Sequence, residues 1–352
     1  MTAEWRIDLF SDTKTRPCAA MRRAMAEADC GDEQQDEDPT VALLNARVAA
    51  LLGKPAALFL PSGTMANLIS VLVHCKRGDE IIADRSSHLV NLETGGAAGV
   101  GGASIFPIDG EGGIFDIDQF EAAIRSPRRN APRPRLAWVE QTTNLGGGLV
   151  WPLATLETLS SRCERHGLAV HIDGARLLNA AVADGVAPAT YGALADSLWI
   201  DFTKGLGSPF GAVLAGSETF IEDARRYKHM LGGAMRQAGI MAAACHVSLD
   251  LGTAPLAQDH KNARRLADSL RAIPGIAIHH RVETNILVVD VAATGLDADA
   301  IQSGLRRAGA RGGVFGPATM RLITHRDVSE TDVDDFAALF GEIVRGGERK
   351  SA

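Results

Sequence analysis

Short apolar runs alternate with amphipathic stretches along the first two thirds of the chain. Apolar runs of strand length occur at 56–60, 79–83, 103–108, 136–140, 168–172, 197–203 and 210–215. Helical spacing of apolar residues is found between them, at 41–52, 62–74, 117–124, 153–166 and 218–229. This alternation predicts an α/β fold, with a mostly parallel seven-stranded sheet and helices on both of its faces.

The pattern changes beyond about residue 254. There we predict a helix at 260–272, strands at 276–280 and 285–291, a helix at 298–308, a strand at 320–324 and a helix at 330–344. We therefore expect a large domain over 1–253 and a small α+β domain over 254–352. The N-terminal segment, with a short strand predicted at 6–10, is expected to reach toward the small domain.

The acidic segment GDEQQDEDPT, residues 31–40, follows a predicted helix at 17–28 and precedes the helix at 41–52. Five of its side chains are carboxylates within seven positions, at 32, 33, 36, 37 and 38. Charge runs of this kind are usually exposed to solvent. We interpret the segment as a solvated loop.

Composition and charge limit the kinds of molecule that the protein is expected to bind. The chain has 352 residues and a formal net charge of −7. No block of basic residues accompanies an aromatic platform, so the sequence gives no sign of nucleic-acid binding. The most apolar stretch, around 239–249, is too short and too interrupted to span a bilayer. We expect a small-molecule ligand, with no nucleic acid and no membrane.

Cysteine usage bears on the compartment and on metals. The five cysteines are scattered and form no CxxC pair. This favours free thiols over a disulfide framework or a zinc site. The first residues, MTAEWRIDLFSD, lack the basic start and apolar core of a secretory signal. We expect a cytoplasmic protein without a metal.

Two charged residues follow neighbouring predicted strands. Asp173 ends the first strand and Lys204 closely follows the second, each beside a glycine. Each residue alone is ordinary loop chemistry, but together they lie where α/β sheets bind ligands. Pyridoxal 5'-phosphate needs such a pair: a lysine amine to bond its aldehyde, and an acidic group against its pyridine nitrogen. The sequence therefore predicts this cofactor.

A second feature supports the same ligand. Ser62, Gly63 and Thr64 open a predicted helix directly after a strand. Free backbone N–H groups and the positive end of the helix dipole make such a turn an anion site. It lacks the GK[ST] of a nucleotide loop and suits a single phosphate. His88 follows the next strand, where an imidazole can stack on a planar ring, although a lone histidine is more often structural.

Seven sequence motifs, taken in their order along the chain, resemble those of a known family. They are SDTKTRP, EDPTV, ALFLPSGTMAN, HIDGARLLNA, TKGLGSPFG, LGGAMRQAG and MRLITHRDVS. The chain resembles the threonine aldolases, which are pyridoxal-phosphate enzymes of fold type I within the β-eliminating lyase group. The resemblance implies a homo-oligomer, usually a tetramer built as a dimer of dimers.

The resemblance also implies roles for individual residues. Lys204 would carry the cofactor, Asp173 would pair with the pyridine nitrogen, and His88 would stack on the ring and act as a base. The remaining cofactor contacts would come from Ser62, Gly63, Thr64, Asn144, Arg176 and, from a neighbouring subunit, Arg236. The substrate would be bound by Ser11, Arg176 and Arg321, with Gln35, Thr143 and His229 near its side chain.

Three of these positions depart from the family pattern. Thr143 stands where the family has a second histidine, Gln35 where it has a tyrosine, and His229 where a basic residue is expected. The cofactor residues are retained while the side-chain pocket differs. We expect retro-aldol cleavage of a β-hydroxy-α-amino acid, such as threonine, allo-threonine or a bulkier analogue, to glycine and an aldehyde.

Two other hypotheses remain open at this stage. The first keeps the cofactor and changes the broken bond, giving a β-eliminating lyase, a dehydratase or a racemase. Thr143 in place of the histidine motivates it. The second is a cofactor-binding protein without activity, and the presence of Lys204, Asp173 and Arg321 together weighs against it.

Overall fold

The structure, a computed structural model, describes residues 5–351, with side chains as far as residue 346. The strands are β1 Ile7–Asp8, β2 Ala56–Leu60, β3 Asp79–Asp84, β4 Ser104–Ile108, β5 Arg133–Glu140, β6 Ala169–Asp173, β7 Ser197–Asp201, β8 Ala212–Gly216, β9 Ile286–Asp290, β10 Ala310–Arg311, β11 Gly313–Gly316 and β12 Thr319–Ile323.

The α-helices are α1 Ala19–Ala26, α2 Pro39–Leu52, α3 Gly63–His74, α4 His88–Asn91, α5 Gly96–Gly99, α6 Ile117–Ala123, α7 Leu153–His166, α8 Leu177–Asp184, α9 Pro188–Ala193, α10 Glu218–Met230, α11 Gly239–Leu251, α12 Ala254–Arg271, α13 Ala298–Arg307 and α14 Glu330–Ser351. Short 3₁₀ helices occupy Asp12–Lys14, Glu33–Gln35 and Ala292–Thr294.

Seven strands form the large sheet, in the order β2-β8-β7-β6-β5-β3-β4. Strand β8 is antiparallel to both of its neighbours, while the pairs from β7 to β4 are parallel. The predicted α/β class and the mostly parallel sheet are therefore confirmed. The parallel arrangement brings the C-terminal ends of β3, β5, β6 and β7 to one edge.

Both faces of this sheet are covered. Along β2, Leu58 and Leu60 belong to one buried apolar cluster, and Ala57 and Phe59 belong to another on the opposite face. A strand buried on both faces is expected to be a continuous apolar run, which is what the sequence of β2 shows.

The smaller sheet has the order β11-β12-β9 and is antiparallel. Its apolar cluster combines residues of α12, α13 and α14 with Ile7 and Leu9 from the N-terminal segment. Strand β1 pairs with β10 in parallel, Ile7 opposite Ala310. The domain boundary between residues 253 and 254 stays a prediction, and residues 1–4 and 352 at the ends of the two predicted domains lie outside the described part.

Some elements in and next to the small domain differ from the prediction. The strand expected at 276–280 is reduced to a single bridge between Ala277 and Asp290. The third strand of the small sheet is instead β11, which the sequence analysis missed because the segment is short and glycine-flanked. Helix α12 begins at Ala254 rather than at residue 260, because Pro255 is compatible with the first turn of a helix.

The acidic loop is only partly solvated: Gln35, Asp36 and Glu37 are exposed, but two of its carboxylates are buried. The interpretation as a solvated loop was therefore wrong for Glu33 and Asp38. Glu33 is 6% exposed and its carboxylate pairs with the ammonium group of Lys228, which is 1% exposed. Asp38, 2% exposed, accepts hydrogen bonds from the backbone N–H groups of Val41 and Gly239. The loop is held by buried charges because it packs against α10 and the start of α11, which the local charge pattern could not reveal.

Among residues 5–351 no single helix is both long and apolar enough to cross a bilayer. The pair α11 and α12, bent by 71°, meets the criterion together by length and composition alone.

Candidate active site

A cavity of about 250 Å³ lies at the edge of the large sheet where the parallel strands end. Ligands of open α/β sheets bind at this edge. The structure brings together here the predicted residues Ser62, Gly63, Thr64, His88, Asn144, Asp173, Arg176 and Lys204.

Asp173 and Lys204 reach the cavity from adjacent strands. Asp173 is the last residue of β6, and Lys204 follows β7 by three positions. The Nζ atom of Lys204 lies 3.3 Å from Oδ2 of Asp201 and 6.0 Å from the ring centre of Trp199. The lysine amine therefore has a carboxylate partner at the end of its own strand, which the sequence analysis did not identify.

The N-terminus of α3 opens onto the same cavity. Ser62 caps the helix, its hydroxyl accepting from the backbone N–H of Met65 at 3.2 Å. A Cβ atom at Gly63 would lie 2.2 Å from the indole ring of Trp199, so only glycine fits there. The first backbone N–H groups of α3 have no partner within the helix and can bind an anion.

Buried hydrogen bonds link Asp173 to His88. The amide of Asn67 donates to Asp173 Oδ2 at 2.8 Å and to Glu93 Oε1 at 2.6 Å. Glu93 Oε1 also lies 2.8 Å from Nδ1 of His88. Trp199 Nε1 donates to Asn67 Oδ1 at 2.7 Å. Sequence analysis missed Asn67, although it lies within the motif that follows β2.

Glu140 joins two loops of the cavity. It ends β5 and lies opposite Asp173 in the register of β5 and β6. Its carboxylate accepts from the backbone N–H of His88 and from that of Asn144, the latter at 3.2 Å. Burial and the negative charge of Asp173 raise the pKa of Glu140 to about 7.

Arg176 forms a buried ion pair that the sequence did not predict. Its Nε and Nη2 atoms donate to the two oxygens of Asp12 at 2.8 Å and 2.7 Å. Asn285 Nδ2 also donates to Asp12, at 3.1 Å. Burial alone would raise the pKa of Asp12, but the adjacent Arg176 guanidinium holds it well below its usual range. Both partners are buried, so this pair fixes the orientation of Arg176.

Arg321 lies on β12 of the small sheet and does not itself line the cavity, but it contacts Asn144, which does. Its Nη1 donates to Asn144 Oδ1 at 2.7 Å, while its Nε is buried and has no partner within the described residues. Burial, followed by the positive charge of Arg176, lowers the pKa of Arg321 to about 10. A buried arginine with an unpaired donor near a second guanidinium favours an anionic ligand.

Ser11 and Thr143, which were also predicted to bind the substrate, do not line the cavity either. The hydroxyl of Ser11 accepts from the backbone N–H of Thr13, and it is Thr13 that lines the cavity. Thr143 is completely buried, and its hydroxyl accepts from the backbone N–H of Leu149 at 3.1 Å. The direct substrate contact predicted for Thr143 is not supported by this placement.

Three further predicted residues lie on the surface of the chain. Gln35, His229 and Arg236 are exposed and do not line the cavity. Arg236 donates to Asp32 at 2.7 Å, so it is joined to the acidic loop. Any contact of these residues with a ligand would require a neighbouring subunit.

The donor set fits pyridoxal phosphate. An acidic group, a lysine amine and a helix N-terminus surround one cavity, as the pyridine nitrogen, the aldehyde and the phosphate require. Gly63 lines the cavity, and its lack of a side chain lets the start of the helix pack against Trp199. The unpaired Nε of Arg321 matches the carboxylate of an amino acid.

Comparisons with known proteins agree with this chemistry. The beta-eliminating lyase family model matches residues 8–294. The chain is 39% identical over 333 residues to a low-specificity L-threonine aldolase of Arabidopsis thaliana, covering 93% of each sequence. It is 39% identical over 334 residues to a low specificity L-threonine aldolase of Escherichia coli K12, covering 94% of this chain and 97% of that one.

Solved structures show the same fold. A threonine aldolase of Leishmania major aligns with a TM-score of 0.83 at 23% identity, over 96% of this chain and 99% of that chain. The extent of these matches leaves no large part of the fold unaccounted for. The chain thus belongs to the beta-eliminating lyases, among their threonine aldolases, and is a pyridoxal-phosphate-dependent lyase of fold type I.

Proposed function

We propose that the chain cleaves a β-hydroxy-α-amino acid, threonine or allo-threonine or a bulkier analogue, to glycine and an aldehyde. The names of its relatives support this reaction. The observation that carries the proposal is the convergence of Asp173 and Lys204 on one cavity, which Arg176 lines and which Arg321 adjoins through Asn144. That combination suits a cofactor aldehyde and the carboxylate of an amino acid.

The cofactor would be held at three points. The backbone at Ser62, Gly63 and Thr64 would bind its phosphate, Asp173 would face its pyridine nitrogen, and Lys204 would bond its aldehyde carbon. Bound there, pyridoxal phosphate supplies an electron sink for the electron pair of the broken Cα–Cβ bond. The carboxylate of Asp173 favours this chemistry because it keeps a proton on the pyridine nitrogen.

The substrate carboxylate would be bound by Arg321, with Arg176 contributing charge. Two guanidinium donors can hold a carboxylate in one orientation, which a single ammonium group cannot do. The Asp12–Arg176 pair keeps Arg176 from moving when the substrate enters. Asn144, already bonded to Arg321, would complete the donor set on this side.

His88 would take the proton from the β-hydroxyl group. Its Nδ1 is bonded to Glu93, which leaves Nε2 for the cavity. General-base help of this kind is typically worth about 10²–10⁴-fold in rate. With Thr143 replacing the second histidine of the family, His88 or a bound water would have to perform this transfer alone.

The experiment is product analysis. The purified protein is incubated with cofactor and with threonine, phenylserine or serine, and the products are separated. Glycine plus the matching aldehyde is expected from threonine and phenylserine. Ammonia and a keto acid without glycine would replace the aldolase proposal by the alternative, a β-eliminating lyase or dehydratase. A change of chirality without either product would indicate a racemase.

We also propose a homo-oligomer, a tetramer built from two dimers, in the cytoplasm. Large apolar side chains are exposed on α2, α10 and α11: Leu43, Met230, Ile240 and Leu251. Exposed apolar groups of this size support a contact with another chain. The exposed Arg236 would then reach the cofactor phosphate of a neighbouring subunit, with Gln35 and His229 near the same boundary. The five cysteines are free in the structure, consistent with a reducing compartment.

A further inference from the structure

Asn67 lies at the centre of the buried polar side chains beside the cavity. It belongs to the first turns of α3 and is 1% exposed. Its Nδ2 donates to both Asp173 Oδ2 and Glu93 Oε1, and its Oδ1 accepts from Trp199 Nε1. One amide therefore joins residues of β6, β7 and the segment after α4.

The orientation of this amide follows from its partners. An indole nitrogen can only donate, so the atom facing Trp199 must be the amide oxygen. An ionised carboxylate can only accept, so the two amide hydrogens must face Asp173 and Glu93. Rotating the amide by 180° would break all three hydrogen bonds at once. Asn67 is thus locked in a single arrangement.

The connection continues from Glu93 to His88. Glu93 is 7% exposed and accepts from both Asn67 and the imidazole Nδ1 of His88. The backbone N–H of His88 is held separately by Glu140. These contacts fix the ring of His88, whose Nε2 has no protein partner within the described residues and is left for a ligand in the cavity.

We propose that Asn67 is a positioning residue that couples Asp173 to the Glu93–His88 pair. The group expected on the pyridine nitrogen and the group expected on the ring face are thereby held in one arrangement. The inference rests on the proposed function only in requiring the cofactor in this cavity. Without the amide, two buried carboxylates would face each other with no donor between them.

The charges around His88 mean that this coupling also affects the pKa values of Glu93 and His88. Burial raises the pKa of Glu93, as does the charge of Asp173, and the hydrogen bonds from His88 and Asn67 oppose this rise. Burial disfavours the charged imidazolium of His88, as does Lys204, but the bond to Glu93 and the charge of Asp173 raise its pKa. The hydrogen bond from Asn67 therefore favours the ionised form of Glu93, and ionised Glu93 in turn favours the protonated form of His88.

The test compares Asn67→Leu with Ser70→Ala. Ser70 lies on the same helix, is completely buried, and donates only to the carbonyl of Ala66, so its variant controls for a change within α3. Two quantities are measured: the pKa of His88 in the cofactor-free protein by NMR, and the dissociation constant of pyridoxal phosphate. Asn67→Leu is expected to lower the pKa and to raise the dissociation constant about tenfold, while Ser70→Ala changes neither. Unchanged values in Asn67→Leu would overturn the proposal.

A second pair of variants keeps the test decisive if Asn67→Leu does not fold. Glu93→Gln preserves the size of the side chain and removes its charge, so the pKa of His88 should fall. Glu93→Asp retains the carboxylate and should restore part of that pKa. A His88 pKa that is the same in both variants and in the wild type would overturn the coupling. Neither measurement depends on turnover, so a folded protein that shows these shifts but releases no glycine would contradict the proposed function alone.

Discussion

At the scale of residues, the cavity is defined by how its charged groups are paired. Asp12 saturates two donors of Arg176, and Asp201 faces Lys204. Arg321 differs, since one of its buried nitrogens has no partner within the described residues. We propose that this unpaired donor binds the substrate carboxylate.

The first prediction concerns Arg321. Arg321→Lys keeps the charge but loses the forked donor geometry that binds a carboxylate at two points. Loss of one charged hydrogen bond costs about 1.5–3 kcal/mol, which corresponds to about 10- to 100-fold in affinity. Steady-state kinetics with threonine should show a KM raised by this factor. Arg265→Lys, at an exposed pair on α12, is the control and should leave KM unchanged.

The second prediction concerns Asp12 and acid. The pKa of Asp12 is lower in the folded than in the unfolded protein. The stability that its ionised carboxylate contributes is therefore complete above its unfolded pKa of about 3.9 and is lost as the pH falls below that value. Asp12→Asn leaves Arg176 buried without its charge partner, which costs about 3–5 kcal/mol at neutral pH. Denaturant unfolding at several pH values should show this deficit shrinking below about pH 4. A deficit that is independent of pH would contradict the pairing; Asp335→Asn, in an exposed pair with Arg6, is the control.

At the scale of elements, the strands that end at the cavity were predictable and the contacts between elements were not. Continuous apolar runs such as β2 and β6 are recognisable because both of their faces are buried. The small sheet was harder to predict from the sequence, since β11 has only four residues and begins and ends with glycine. The burial of Glu33 in the acidic loop depends on Lys228 of α10, which lies almost 200 positions away, so no local pattern could reveal it.

The third prediction concerns this loop. Lys228→Met leaves the carboxylate of Glu33 buried without its partner, which should lower the free energy of unfolding by about 3–5 kcal/mol. The neighbouring pair Arg225–Asp36 joins the same helix to the same loop but is exposed, so Arg225→Met should cost no more than about 1 kcal/mol. Denaturant unfolding of the two variants measures the difference. Equal losses of unfolding free energy in the two variants would show that burial of the Glu33–Lys228 pair is not what stabilises the loop.

At the scale of the whole molecule, the fold and the family are established, and the assembly is a proposal. The Asp173 and Lys204 positions were predictable because each follows an apolar strand and stands beside glycine. Asp12, Asn67 and Asp201 were not, because their roles depend on which distant groups they contact. Arg236 is exposed on this chain, so a role for it in the active site would require that neighbouring subunits share active sites.

The fourth prediction addresses that sharing. Lys204→Ala and Arg236→Ala are each expected to be nearly inactive alone. In a mixed oligomer, one active site would combine Lys204 from one variant with Arg236 from the other, so activity should return when the two are unfolded and reassembled together. Activity that stays at the level of the separate variants would indicate that Arg236 does not serve a neighbouring subunit.

The most direct test of the central claim is to locate the cofactor on the chain. The protein is loaded with pyridoxal phosphate, treated with borohydride to make its bond to lysine permanent, digested and analysed by mass spectrometry. The peptide containing Lys204 is expected to carry the added mass, and Asp173→Asn is expected to weaken cofactor loading without moving it to another lysine. Modification of Lys14, Lys54 or Lys228 instead of Lys204, or of no lysine at all, would contradict this expectation.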